Sequence, residues 1–291
     1  MPQHRIVNMS ALNIKTQPHS TENYIDLLET VYRLKSPRKI RGSDWGMIGA
    51  LHRVKMEELG ETLSGQFYKF LNIDPRGEWL DLNEGTPIKA DDDSGIIPPV
   101  PDNLKPNLKH IDFVFSPKKH RLFFDKKNIS PGMLRFLLNN MFSDPYICDK
   151  FGMVDVVAES TAEAIEKILR IQKLTKLEIE VSIPNDDVLS NMEEGIINRL
   201  KKQNIWRHNQ TATSTSEEGI IPDEETRALM NLGKSEGYVK GKGIDGQRKV
   251  NYSTEHHPLI EKVRYDPDVQ TKLQAMLLGS LSMLSKISNG S

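Results

Sequence analysis

The chain has 291 residues, 37% hydrophobic and 27% charged, a balance that supports folded domains and excludes wholesale disorder or a fibrous repeat. Lys and Arg number 39 against 40 Asp and Glu, for a net charge of -1, so any case for a polyanionic partner rests on local clustering. No run approaches the ~20 apolar residues of a membrane span, the N-terminal stretch lacks the apolar core of a secretory signal, and Cys148 has no second cysteine with which to form a disulfide or a Cys-rich zinc site. These features predict a cytoplasmic protein.

In chain order, Arg5 to Ile14 is rich in β-tolerant residues, and Ser20 precedes Tyr24, Leu27, Leu28 and Val31 at helical spacing. Residues 46–54 and 63–73 read as extended, separated by Gly60. An acidic, Pro-rich stretch at 84–107 then predicts a long loop. Ile111, Phe113 and Phe115 alternate with polar residues before Ser116-Pro117-Lys118-Lys119, and Leu122 and Phe124 follow, which predicts a hairpin with a basic tip. Ser130-Pro131 opens a helix bearing Leu134, Leu137, Leu138 and Met141.

Residues 152–158 read as a strand, and Ser160 with Glu163 as a capping box before Ile165, Ile168 and Leu169. Leu177, Ile179, Val181 and Ile183 alternate with Glu178, Glu180 and Ser182, the pattern of a half-buried strand. Asp186 and Asp187 stand where a helix dipole favours acids, ahead of Leu189, Met192, Ile196 and Leu200. A polar run at 210–216, a helix over 222–232, extended pieces around Tyr238 and Val250 and a long helix over 268–287 complete the chain. The order predicts an α+β fold with mixed or mainly antiparallel sheets, packed helices and a long C-terminal helix. Residues 1–148 and 149–291 are its expected N-terminal and C-terminal α+β regions.

Gly241-Lys242-Gly243-Ile244-Asp245-Gly246 matches the G-x-G-x-x-G string, yet a strand follows it where a dinucleotide site needs a helix, so it reads as a hairpin loop. His256-His257 adjoin Pro258, and neighbouring positions do not aim two imidazoles at one metal. Ser116-x-x-Lys119 lacks the companion motifs of a nucleophilic serine. Cys148 reads as a small core residue, with a reactive thiol as the alternative. Neither a cofactor nor a metal is expected, and no catalytic residue is assigned.

Basic residues cluster locally: Arg38, Lys39 and Arg41; Lys118, Lys119, Arg121, Lys126 and Lys127 around the hairpin; and Lys201, Lys202 and Arg207 around Trp206. Such clusters displace counterions from phosphates, and a tryptophan offers a base-stacking surface; solvated faces are the plain alternative.

Ala11-Leu12-Asn13-Ile14, Ile111 to Phe115 with Ser116-Pro117 and His120, Leu174 to Ile183 with Pro184-Asn185-Asp186-Asp187, and Tyr252-Ser253-Thr254 with His257-Pro258 together resemble an uncharacterised bacterial domain-of-unknown-function family associated with mobile elements and phage defence. In length and element order the chain is also similar to RexA-like, RdgC-like and KwaB-like DNA-binding proteins. The resemblance implies a nucleic-acid-binding component of antiviral, abortive-infection-type defence that binds DNA without sequence preference, as a homodimer or beside a companion defence protein, and without a membrane. The alternatives are a metal-dependent nuclease effector using Asp186 and Asp187, and a non-catalytic protein-interaction subunit.

Overall fold

The computed structural model describes residues 4–74, 77–89, 101, 103–183 and 190–288. The first half contains β1 (Arg5–Thr16), α1 (Thr21–Leu34), β2 (Arg38–Arg41), β3 (Asp44–Met56), β4 (Gly60–Leu71), β5 (Glu78–Asp81), β6 (Thr86–Lys89), β7 (Lys109–Ser116), β8 (Arg121–Asp125) and α2 (Pro131–Phe142). There follow α3 (Pro145–Phe151), β9 (Val154–Ala158), α4 (Ala162–Leu169), β10 (Lys173–Ser182), α5 (Asn191–Lys202) and β11 (Arg207–Thr213). The chain closes with α6 (Glu224–Glu236), β12 (Gly237–Asp245), β13 (Arg248–Ser253), β14 (Ile260–Tyr265) and α7 (Lys272–Ser288). The α+β class expected from the sequence is the class observed, and the pairings within its sheets are antiparallel.

The larger sheet has the order β14-β1-β8-β7-β4-β3-β2, and β9 extends it beside β1. Strand alternation sends successive side chains of β1 to opposite faces. Leu12 and Ile14 join Phe113, Phe115, Leu122 and Phe124 under α1, α2 and α3. Val7, Met9 and Ala11 face the other way, with Val114 and Phe123, and receive Ala275, Met276 and Met283 from α7. Each fully buried Phe or Leu contributes roughly 1.5–3 kcal/mol, so a strand covered on both faces anchors the domain. The apolar stripe of the terminal helix is therefore core, although Leu273 and Leu278 remain exposed at 38% and 58%.

Caps fix two helix starts as the sequence predicts. Ser20 Oγ accepts the Asn23 amide at 3.1 Å, and Ser130 Oγ accepts that of Met133 at 3.3 Å with Pro131 opening the helix. The capping box of α5 is Ser190 with Glu193; Pro184, Asn185, Asp186, Asp187 and Leu189 lie outside the described residues. The Ser160 box is not formed. Thr161 is the N-cap of α4, because the Ser160 hydroxyl donates instead to the Lys234 carbonyl at 2.9 Å.

The smaller sheet has the order β11-β10-β12-β13, with Leu177, Ile179 and Val181 packed among Ile168, Ile196, Leu200, Leu229 and Leu232 of α4, α5 and α6. Its edge strand β11 occupies much of the polar stretch. A strand there needs backbone pairing to β10 rather than an apolar face, and Thr211 and Thr213 tolerate it. The β5–β6 hairpin likewise enters the stretch expected to be loop; residues 90–100 of that stretch are outside the described residues. β9, β14 and α7 come from the second half of the chain yet build the larger sheet, so position 148/149 does not divide the sheet.

Gly241 and Gly243 also differ from the hairpin-loop expectation, since both lie inside β12. A Cβ on Gly243 would stand 2.2 Å from the Lys173 carbonyl oxygen, and one on Gly241 would stand 2.5 Å from Ile168 Cγ2. Close approach of strand and helix is what these glycines serve. Gly243→Ala is expected to cost about 1–3 kcal/mol by overpacking, read as a lower urea midpoint; an unchanged midpoint would show that the strands can separate freely. Cys148, expected in the core, is exposed on α3, because Ile147 and Phe151 take the inward positions of that short helix.

Candidate nucleic-acid interface

On β2, Ile40 is buried against Leu137 of α2, and Lys39, paired with Trp45, turns to the opposite sheet face, whereas a bulge between Lys39 and Arg41 pairs Arg41 with Asp44. Register places Lys39 opposite Trp45, Trp45 opposite Phe70, and Tyr68 opposite His110. These residues therefore share one face. α7 packs on the β14, β1, β7 and β8 portion of that face, and its contact ends at Lys272, which bonds Asp112 and Asp125. Beyond it stand Gln66, His110 and Tyr68, linked by a 3.0 Å His110–Gln66 contact and a 5.0 Å edge-on His110–Tyr68 ring contact. Gly49 lies directly under the Tyr68 ring and leaves no room for a Cβ.

The other predicted cations are placed apart. Arg38 shares the α2 face and is tied to Asp144. Lys118 and Lys119 are exposed on the 3-10 turn between β7 and β8. Lys126 and Lys127 follow the far end of β8, roughly 15–20 Å from that turn at ~3.4 Å per residue. Lys201 and Lys202 occupy the exposed last turn of α5. Trp206 packs against the core of the smaller sheet, so its ring is not a free stacking platform. Arg207 is paired with Asp155 at 3.0 Å and lies 3.9 Å from Glu180. From β2 to β8 is four strand steps, roughly 19 Å. The clusters thus occupy separate surfaces and do not merge into one strip. Among the described residues, Lys39 and Arg41 make no ion pair, and Trp45 adjoins Lys39.

On the uncovered face of the smaller sheet several cations are paired with acids. Lys176 pairs with Glu178 and Lys240 with Glu255, and the hydrogen bond from Lys176 holds the Glu178 carboxyl below the usual range. Lys242 and Lys249 stand exposed on the same face with no ion pair among the described residues.

Arg121 departs most from the basic-hairpin expectation. It is 2% exposed, because it continues the inner face of β8 beyond Phe123. Its Nε lies 2.6 Å from Glu159 Oε1, and its guanidinium lies 3.9 Å from Glu236. On the same face of β1, Lys15 Nζ donates to the Glu236 carboxylate and carbonyl, both at 3.0 Å, and to Ser182 Oγ. Ser182 Oγ stands 2.8 Å from Asp155 and 2.9 Å from the Glu236 carbonyl, and its single proton serves one of them. Asn13 Nδ2 adds a 3.2 Å bond to Glu236. Such charges survive burial only when paired and hydrogen-bonded. They form an ionic joint that ties the larger sheet to α6 and β10, and sequence spacing alone could not reveal it.

His120 adjoins the joint with a left-handed backbone, φ 44°. Its Nδ1 lies 3.3 Å from an Arg121 nitrogen, which can only donate, so the ring accepts there and is neutral. Burial first, then the nearby Arg121, His19, Lys15 and Lys119, push its pKa down to about 2.

Among the described residues no group of three or more His, Cys, Asp or Glu is placed to hold a metal ion, and no helix is long and apolar enough to cross a membrane. Fold and site thus define an α+β protein of antiparallel sheets locked by a buried ionic joint, with an aromatic and cationic face at one sheet edge. The chain belongs to the family described as domain of unknown function (DUF4747), which matches residues 5–279. That span begins at β1 and ends within α7, so both principal sheets are parts of the family's domain. No curated protein matches the chain.

Proposed function

We propose that this protein binds nucleic acid as a cytoplasmic component of bacterial antiviral defence of the abortive-infection type, taking up single-stranded DNA on the open face of the larger sheet. One observation carries the reading: Lys39 shares that face with Trp45, Tyr68 and His110, and Arg41 stands exposed at the bulged sheet edge beside it. Cations without protein partners can neutralise phosphates, and aromatic rings stack on bases of any sequence. The exposed Lys118, Lys119, Lys127, Lys201 and Lys202, with the half-buried Lys126, are secondary contacts for a longer strand. A homodimer would present two such faces to one strand, which sedimentation of the full chain would detect.

Fluorescence anisotropy with labelled single-stranded DNA across a salt series tests the assignment. Lys39→Gln with Arg41→Gln is expected to reduce the slope of log affinity against log salt by ~1.4, at ~0.7 per lost phosphate contact. Trp45→Ala is expected to weaken binding by ~1–3 kcal/mol. Equal affinity and slope in wild type and the Lys39/Arg41 variant would overturn this face as the site. Absence of binding by any form would move the interaction-subunit reading to the front.

A further inference from the structure

Two exposed surfaces of opposite charge stand at the same end of the larger sheet. The first is basic and apolar. β14 ends the sheet order, and its register sets Ile260, Lys262 and Arg264 opposite Ser10, Asn8 and Ile6. The Lys126 amide donates to the Asn8 carbonyl at 2.9 Å, which brings a further cation alongside. Alternation turns these side chains to the helix-bearing face, yet Ile6 and Ile260 remain 53% and 38% exposed there. Lys126, Lys127, Lys262 and Arg264 make no ion pair among the described residues, and they outnumber Asp266 and Asp268, the acids of the turn that follows β14.

The second surface is the acidic β5–β6 hairpin, which carries Glu78, Asp81 and Glu84 against Lys89. Its two strands pair only with each other among the described residues, and Leu80 and Leu82 are 62% and 87% exposed. A lone two-stranded hairpin is marginal in water, and an unpaired edge such as that of β14 is a template for a further strand. The hairpin follows the end of β4, and the pairings Lys69–Lys109, Phe113–Phe124 and Met9–Asp125 place that end level with the start of β1. Three strand steps separate them, roughly 14 Å at ~4.8 Å per step. Within one chain the surfaces do not cover each other, since Leu80, Ile6 and Ile260 are all exposed. Between two copies, their common position lets each hairpin reach the other's patch about a twofold axis, and two such contacts close without an open end.

We propose that this chain pairs with a second copy of itself through reciprocal contacts, in which the β5–β6 hairpin of one protomer docks Leu80 and Leu82 along the β14 edge of its partner, beside Ile6 and Ile260, with Glu78 and Glu84 set against Lys262 and Arg264. The contact gives the homodimer of the nucleic-acid reading its surfaces but uses none of the residues of the open face, so a monomeric chain would leave the single-stranded DNA assignment standing.

Sedimentation velocity of the full chain without nucleic acid reads the pairing. The wild type is expected to be a dimer at ~10–100 μM, the range of small and partly polar interfaces. Glu78→Lys with Glu84→Lys makes hairpin and patch both basic, and Lys262→Glu with Arg264→Glu makes both acidic. Each variant alone is expected to pair at least ~10-fold more weakly, like charges now facing each other. An equimolar mixture of the two restores both contacts with exchanged signs and should return to the dimer, which misfolded variants could not do. Leu80→Ser should weaken pairing by ~10-fold or more, as loss of an apolar anchor does. The proposal is overturned if the wild type stays monomeric up to ~200 μM, if its dimer survives both charge variants unchanged, or if the mixture fails to pair.

Discussion

Lys15→Met is expected to lower the unfolding free energy by about 3–5 kcal/mol, the usual cost of removing one member of a buried ion pair. Lys15 is fully buried, and its ammonium satisfies the Glu236 carboxylate, the Glu236 carbonyl and Ser182 Oγ. A methionine fills similar volume but donates nothing, so Glu236 keeps its charge in the interior with Asn13 and a guanidinium 3.9 Å away. The penalty is the stranded carboxylate more than the lost attraction. Glu236→Gln in the same chain should therefore recover part of the loss, a coupling of at least ~0.5 kcal/mol in a double-mutant cycle measured by urea unfolding. Strict additivity of the two substitutions would show that these groups do not interact. Because the joint connects β1 of the larger sheet to α6 and β10, the destabilised variant should also lose its single unfolding transition if the sheets are held together there.

Acidification from pH 6.5 to 4.5 is expected to cost the folded state about 1.4 kcal/mol per pH unit from His120 alone. The folded pKa is pushed down to about 2, while the unfolded chain takes up a proton near the ordinary value of ~6.5. Below that value the unfolded state binds the extra proton, so the His120 contribution to stability is fully present above pH ~6.5 and drains away as pH falls. The carboxylates held low by their partners act in a different window. Asp26 is lowered by its hydrogen bond from Lys150 and Glu29 by that from Arg53, so their contributions fade only as pH drops below their unfolded values of ~4. His120→Asn isolates the histidine, because asparagine tolerates the left-handed backbone and carries no titrating group. Urea midpoints taken at half-unit pH steps should be flat for the variant between 6.5 and 5, where the wild type slopes. A wild-type slope retained in the variant would place the acid sensitivity elsewhere.

Much of the fold is legible locally because each signal needs only neighbours in the chain. Leu177, Ile179 and Val181 alternate with acids and do line one strand face; Ser20 and Ser130 cap helices because capping is a bond across three residues. The polar β11 carried no such signal, since its strand state comes from pairing with β10. Ser160 had the right spacing for a cap and lost its hydroxyl to a carbonyl 74 positions away.

The candidate site divides in the same manner. Basic character at Lys39, Arg41, Lys118 and Arg121 is a property of the sequence, and so is the ability of Trp45 and Tyr68 to stack. Which of these charges faces solvent is not. Arg121 and Lys119 stand two positions apart, yet one is buried against Glu159 and the other is exposed on a turn, because β8 carries Arg121 inward beside Phe123. Lys39 meets Trp45, and Tyr68 meets His110, only through strand register, and Lys15 meets Glu236 only where β1 passes under α6. Composition and spacing settled the α+β class, the starts of the helices capped by Ser20 and Ser130 and the stock of charged and aromatic groups, all of which depend on contacts within a few residues. Tertiary structure alone decided which charges cancel in the interior and which remain available, because that depends on long-range pairing and on the cost of removing an ion from water.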